Sequence, residues 1–166
     1  SVSGTDEDIL ADLQRRRAAK DPAGINALGE AYRGGRYGLE RDAAKAFALF
    51  REAAGAGHVG GMLNLRRCYY YGEGVEKDRA AAAQWAKRAA EAGDPQGQFY
   101  YGGSLGDGEG VERNPEAAFA WFQKSAAQNC ALGQNALGLC YERGVGAEKD
   151  SFKALRWYLT AAQQGL

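Results

Sequence analysis

Apolar residues along this chain fall in short blocks at helical spacing, and the blocks themselves repeat. From residue 43 onward, Ala46, Leu49, Phe50, Ala53 and Ala54 share one face of a 3.6-residue helix, with Lys45, Arg51 and Glu52 among the positions between them. The same arrangement returns with Ala82, Trp85, Ala86, Ala89 and Ala90, then Ala118, Trp121, Phe122, Ser125 and Ala126, then Ala154, Trp157, Tyr158, Ala161 and Ala162. Each block begins after a cap-forming residue, Asp42, Asp78, Asn114 or Asp150, spaced 36 residues apart, and closes at Gly57, Gly93, Asn129 or Gly165.

A second block precedes each cap. It reads LGEAY at Leu28 to Tyr32, LRRCY at Leu65 to Tyr69, YGGSL at Tyr101 to Leu105 and LGLCY at Leu137 to Tyr141. The first stands one residue further from its cap, so its loop is longer by one. Apolar residues four apart share a helical face, and the small glycine lets a neighbouring helix approach closely. The loops that follow, such as GEGV and GDGEGV, carry glycines that end helices without steric cost. Asp or Asn then accepts hydrogen bonds from the free amides of the next helix, and Pro115 fits a first helical position. The pattern predicts helices over residues 6–19, 23–34, 43–56, 60–71, 79–92, 96–106, 115–128, 132–143 and 151–164. Helix 6–19 lies outside the repeat. Its acidic start (Asp6, Glu7, Asp8) and basic end (Arg15, Arg16, Arg17) complement the helix dipole, and Ile9, Leu10 and Leu13 are placed to cover the first repeat.

Loop, cap and alanine ladder together resemble the Sel-1-like repeat family, relatives of the tetratricopeptide repeats. The resemblance covers about 23–166. It implies an all-α, right-handed alpha-alpha superhelix of four repeats at about 23–58, 59–94, 95–130 and 131–166, behind an N-terminal capping helix in residues 1–22. Two departures stand out: Arg66 replaces the first-helix glycine of the second copy, and Tyr101 and Leu105 exchange residue classes in the third.

The resemblance also implies that the first helices line a concave groove. Groove positions then fall at Asn26, Glu30 and Arg33, at Leu63, Arg67 and Tyr70, at Phe99 and Gly103, and at Asn135, Leu139 and Glu142, with Tyr71 and Arg143 at the rim. Arg67, Tyr70, Tyr71 and Phe99 make an aromatic and cationic set of the kind that dominates protein interfaces. Asparagine amides offer a donor and an acceptor to a peptide backbone. For Tyr70 and Phe99 binding and packing stand level; Tyr69, Tyr100 and Tyr101 read as packing residues. The family resemblance implies a non-enzymatic adaptor or scaffold that binds a protein or extended peptide.

Charge and chemistry narrow the classes. The chain has 21 basic and 21 acidic residues, so no global field draws it to nucleic acid. Apolar runs are far shorter than the ~20 residues a membrane span needs. Cys68, Cys130 and Cys140 form no CxxC motif and no regular pairing, which argues against a disulfide scaffold or zinc cluster and favours a reducing compartment such as the cytoplasm. The single histidine, His58, falls in a turn between repeats, and the GDGEG turn at Gly106 to Gly110 lacks the lysine and serine of a phosphate loop. No catalytic residue, metal site or cofactor is expected. Helix 151–164 has no following cap, so Leu155, Tyr158, Leu159 and Leu166 are expected to form an open apolar face that self-associates or continues a larger array.

Overall fold

The computed structural model describes residues 4–165. Among them the chain forms nine helices and no strand: α1 (Asp6–Ala18), α2 (Pro22–Gly34), α3 (Ala43–Gly55), α4 (Val59–Tyr71), α5 (Arg79–Glu91), α6 (Pro95–Asp107), α7 (Pro115–Ala127), α8 (Ala131–Arg143) and α9 (Ser151–Ala162). The expected helices are all present, with ends shifted by no more than two residues. Leu166 lies outside the described residues.

The chain divides into two compact units, Ser1–Asp78 and Arg79–Leu166. In the first, α2 packs against α1, α3 and α4, and α3 against α4. Its core gathers Leu13, Ile25, Leu28, Ala31, Leu49 and Ala53, with Ile9 and Leu10 of α1 against it. The α1 helix starts in a reciprocal cap in which Thr5 and Asp8 exchange hydrogen bonds. In the second unit, α6 packs on α5, α7 and α8, and α8 on α7 and α9. Leu105, Ala118, Phe122, Ala126, Leu137 and Cys140 form its core.

Every repeat closes by the same local rules. The amide of the cap residue donates to the last carbonyl of the LGxxY block: Asp42 to Tyr32, Asp78 to Tyr69, Asn114 to Leu105 and Asp150 to Tyr141, each at 2.7–2.9 Å. The side chains of Asp42, Asn114 and Asp150 accept from the amides of Lys45, Ala117 and Lys153. Such a cap contributes about 1 kcal/mol. Glycines at the second loop position, Gly74, Gly110 and Gly146, take positive φ of 70–73° and lie directly on the backbone carbonyls of Ala43, Arg79 and Pro115. A side chain there would meet both backbone strain and main-chain atoms.

In the first, third and fourth copies the glycine of the first helix receives an aromatic ring, whereas the second copy carries Arg66 and Ala86 at the two matching positions. A Cβ at Gly29, Gly102 or Gly138 would lie 2.7 Å from Phe50, Phe122 or Tyr158. In the third copy, Tyr101 packs edge-on against Trp121 at 5.5 Å while Leu105 stays buried, so the exchange of residue classes is absorbed by an aromatic pair. Tyr69 and Tyr141 meet Phe47 and Phe119 edge-on at 5.5 and 5.4 Å, as expected of packing residues.

Candidate functional site

The two units contain equivalent seams between first helices, α2 beside α4 and α6 beside α8. Side chains at matching positions make them different. In the first unit, Asn64 of α4 donates to Asn26 Oδ1 at 3.0 Å and to Glu30 Oε1 at 3.2 Å, and accepts from Arg33 Nη1 at 3.3 Å. Three of the predicted groove residues, Asn26, Glu30 and Arg33, are therefore tied together across the seam by Asn64, which was not among the predicted residues. Asn64 sits one residue before Leu65, the first residue of its block, a position that carries Ala27, Tyr100 and Ala136 in the other copies. Its partial burial was the signal that the sequence pattern alone did not carry.

In the second unit the same places hold Phe99, Gly103, Gly106 and Ala136. The seam is open and encloses about 350 Å³. Phe99, Gly103, Gly106 and Asp107 line the α6 wall; Leu132, Asn135, Ala136, Leu139, Cys140 and Arg143 line the α8 wall; Phe122 forms the floor and Val145 one end. Phe99 leans on Phe122 with ring centroids 6.1 Å apart. A Cβ at Gly103 would meet nothing within 4 Å, and one at Gly106 only Ala118 at 3.6 Å. Packing therefore requires Gly102 but not Gly103 or Gly106, although a helix-interior glycine costs about 0.5–1 kcal/mol relative to alanine.

The remaining predicted residues lie as follows. Glu142 Oε2 accepts from the Tyr158 hydroxyl at 2.8 Å. Burial together with this carboxylate pushes the Tyr158 hydroxyl up to about 12. At the end of α4, Arg67 donates to Glu73 at 3.2 Å, Arg66 lies over the Tyr70 ring at 5.3 Å, and Tyr70 meets Tyr71 edge-on at 4.9 Å. Tyr71 is 59 % exposed. Leu63 is half-buried.

Elsewhere the second unit has polar clasps that sequence reading did not anticipate. Buried Gln98 accepts from Gln128 at 2.9 Å, and buried Gln134 accepts from Gln164 at 2.7 Å. Their spacing, 30 residues in both cases, is visible in the sequence. All three cysteines are free thiols, and Cys130 and Cys140 flank and occupy the same helix. Burial raises both Cys68, to about 11, and Cys140. His58 holds the N-cap position of α4 and its side chain makes no cap hydrogen bond. No group of three or more His, Cys, Asp and Glu among the described residues is arranged to hold a metal ion, and no helix among them is long and apolar enough to cross a membrane.

Four consecutive stretches, residues 22–58, 60–94, 95–130 and 131–166, match the Sel1 repeat. None of the curated proteins matches the chain. Among solved structures, it is similar to c5321, a protective antigen present in uropathogenic Escherichia coli strains and displaying an SLR fold, at 33% identity and a TM-score of 0.90. That match covers 95% of this chain and 33% of the other. A Sel1 repeat protein from Oxalobacter formigenes is 32% identical over 90% of this chain and 61% of its own, with a TM-score of 0.83. Helicobacter pylori cysteine rich protein B shares the fold at 21% identity and a TM-score of 0.57, over 76% of this chain and 92% of its own. This chain thus spans about a third of the first relative and three-fifths of the second. Proteins of this kind generally serve as protein-interaction modules and are typically non-enzymatic. With four repeats matched between residues 22 and 166 and the helical hairpins in place, the chain belongs to the Sel1 repeat family and has its all-α helical repeat solenoid fold.

Proposed function

We propose that this chain is a non-enzymatic adaptor that binds a protein partner, or an extended peptide within one, along the open seam between α6 and α8. One observation carries the reading: α6 keeps glycine at positions 103 and 106, where packing does not ask for it, and the result is an apolar groove on a rigid helical scaffold. Phe99 and Leu139 supply apolar area at low entropic cost, and Asn135 supplies the paired donor and acceptor of an amide. The end of α4, with Tyr71 exposed beside Tyr70 and Arg67, is a separate contact patch in the first unit. In the test, native cell extract is passed over immobilised wild type, Gly103→Leu, and Arg67→Ala/Tyr70→Ala, after circular dichroism has shown equal helicity. A protein retained by wild type and lost on Gly103→Leu supports the groove; loss only on the double variant moves the contact to α4. Equal retention by all three removes both sites.

A second reading is favoured by α9, where Phe152, Leu155 and Leu159 are 84 %, 55 % and 56 % exposed along one stripe. Leu155 holds the repeat position of Phe47 and Phe119, which pack against tyrosines of the following first helix. Tyr158 lies over Gly138 instead of joining this stripe. The face would then take a second copy or a further repeat. Sedimentation velocity over a wide concentration range should show association that Leu155→Glu abolishes; a concentration-independent monomer would remove pairing between copies.

A further inference from the structure

The chemistry of the α6/α8 groove narrows its occupant. A volume of about 350 Å³ stands at the low end for ligand pockets, which span ~300–1,000 Å³, and suits one large side chain with its stretch of main chain. The floor and walls at Phe99, Phe122 and Leu139 are apolar, so the inserted group is apolar. Among the lining residues, Asn135, Asp107 and Arg143 carry hydrogen-bonding or charged side chains and all three are exposed. The side chain of Asn135 is exposed and makes no hydrogen bond among the described residues, leaving its carboxamide available to a peptide main chain.

The charges at the edge are opposite and separate. Arg143 of the α8 wall and Asp107 of the α6 wall both line the groove and are both exposed, yet neither forms a salt bridge with the other or with any described residue. An acidic group on the occupant is attracted on the α8 side and repelled on the α6 side. Arginine presents a planar, doubly donating fork to a carboxylate, so pairing there is directional as well as attractive.

We propose that this groove takes an extended peptide in which a large apolar residue inserts over Phe122 and a neighbouring Asp or Glu pairs with Arg143. The inference rests on the adaptor reading and adds to it the chemical class of the partner segment. Random dodecapeptides displayed on phage, panned in parallel on the full wild-type chain, Gly103→Leu and Arg143→Glu, test it. Wild type should enrich Phe, Leu, Ile or Trp beside an acidic residue. Synthetic copies of the enriched peptides should bind Gly103→Leu about tenfold or more weakly, because the added side chain occupies the seam. Panning on Arg143→Glu should replace the acidic residue by Lys or Arg. Thermal unfolding of Gly103→Leu at or above the wild-type temperature keeps misfolding from explaining the loss.

Failure of wild type to enrich such peptides, unchanged binding by Gly103→Leu, or retention of the acidic residue by Arg143→Glu would each overturn the proposal. A protein partner still captured through α4 or α9 in that event would leave the adaptor reading standing without this pocket. Loss of both peptide enrichment and partner capture would remove the two together.

Discussion

The seam between α2 and α4 and the seam between α6 and α8 are built from the same repeat positions, yet one is bridged and the other is open. Asn64, Asn26, Glu30 and Arg33 fill the first with a hydrogen-bonded network. At the matching places, Ala136, Phe99, Gly103 and Gly106 leave the second as an apolar groove. The repeat dictates hairpins and their registry through glycines, caps and small-residue ladders. It does not dictate what stands between adjacent first helices. These free positions differ from copy to copy while the hairpins stay the same, and the proposed binding function rests on them.

The largest effects that sharpen the contrast lie at the floors. Phe50 is completely buried and Phe122 is 9 % exposed. Phe50→Ala should cost about 4–5 kcal/mol and Phe122→Ala about 3 kcal/mol in urea unfolding, because the second cavity is already open to water. An equal or reversed order would mean that the second seam is closed in solution. Adjacent glycines in α6 should then give opposite signs. Gly102→Ala drives a methyl group against the Phe122 ring and should destabilise by about 1–3 kcal/mol. Gly103→Ala meets nothing and should stabilise by about 0.5–1 kcal/mol.

Removal of the bridge comes next. Asn64→Ala leaves Asn26, Glu30 and Arg33 without their shared partner and should cost about 1–2 kcal/mol, whereas Ala136→Asn at the matching place should be close to neutral. If Asn64→Ala is silent in thermal unfolding, the network is a surface ornament and the seams are closer to equal.

A pH effect separates the hairpins. Tyr158 packs over Gly138 as Phe50 does over Gly29, but its hydroxyl donates to Glu142 and titrates only at about 12, above the ~10 of an unfolded tyrosine. The raised value means that the contribution is fully present below pH ~10 and lost as pH rises toward 12. Tyrosinate absorbance should show this late step, and Tyr158→Phe should remove it. The smallest contrast concerns thiols. Cys68 and Cys140 hold the same repeat position, but Cys140 lines the α6/α8 groove and is the more exposed of the two, 7 % against 2 %. Cys140 should react with a disulfide reagent faster than Cys68, and Gly103→Leu should slow it.

The fold was legible because each of its devices leaves a mark at a fixed spacing. Asp42, Asn114 and Asp150 announce themselves as caps, and the loop glycines as helix-ending turns; the close approach of Gly74, Gly110 and Gly146 to backbone carbonyls is seen only in three dimensions. The caps of the first helices were less visible: Asp21 and Asp94 bind the amides of Ala23 and Gly97, while His58 and Cys130 hold the same place without a side-chain cap bond. The site was legible only in part. The family resemblance put Phe99 and Gly103 of α6 and Asn135 and Leu139 of α8 on the groove side of their helices, and all four line the cavity between those helices. That Asn26, Glu30 and Arg33 meet Asn64 depends on the lateral distance between neighbouring helices, which no spacing within one helix encodes. The glutamine clasps at Gln98 and Gln134 depend on it as well.

The most direct test of the open seam as the binding surface is to transplant the bridge from the first unit. Calorimetric titration of the partner captured by wild type against Gly103→Glu/Gly106→Arg/Ala136→Asn, with helicity and unfolding temperature checked, isolates the seam. Loss of binding by a folded variant is the predicted result. Undiminished binding would contradict the account and return the function to α4 or α9.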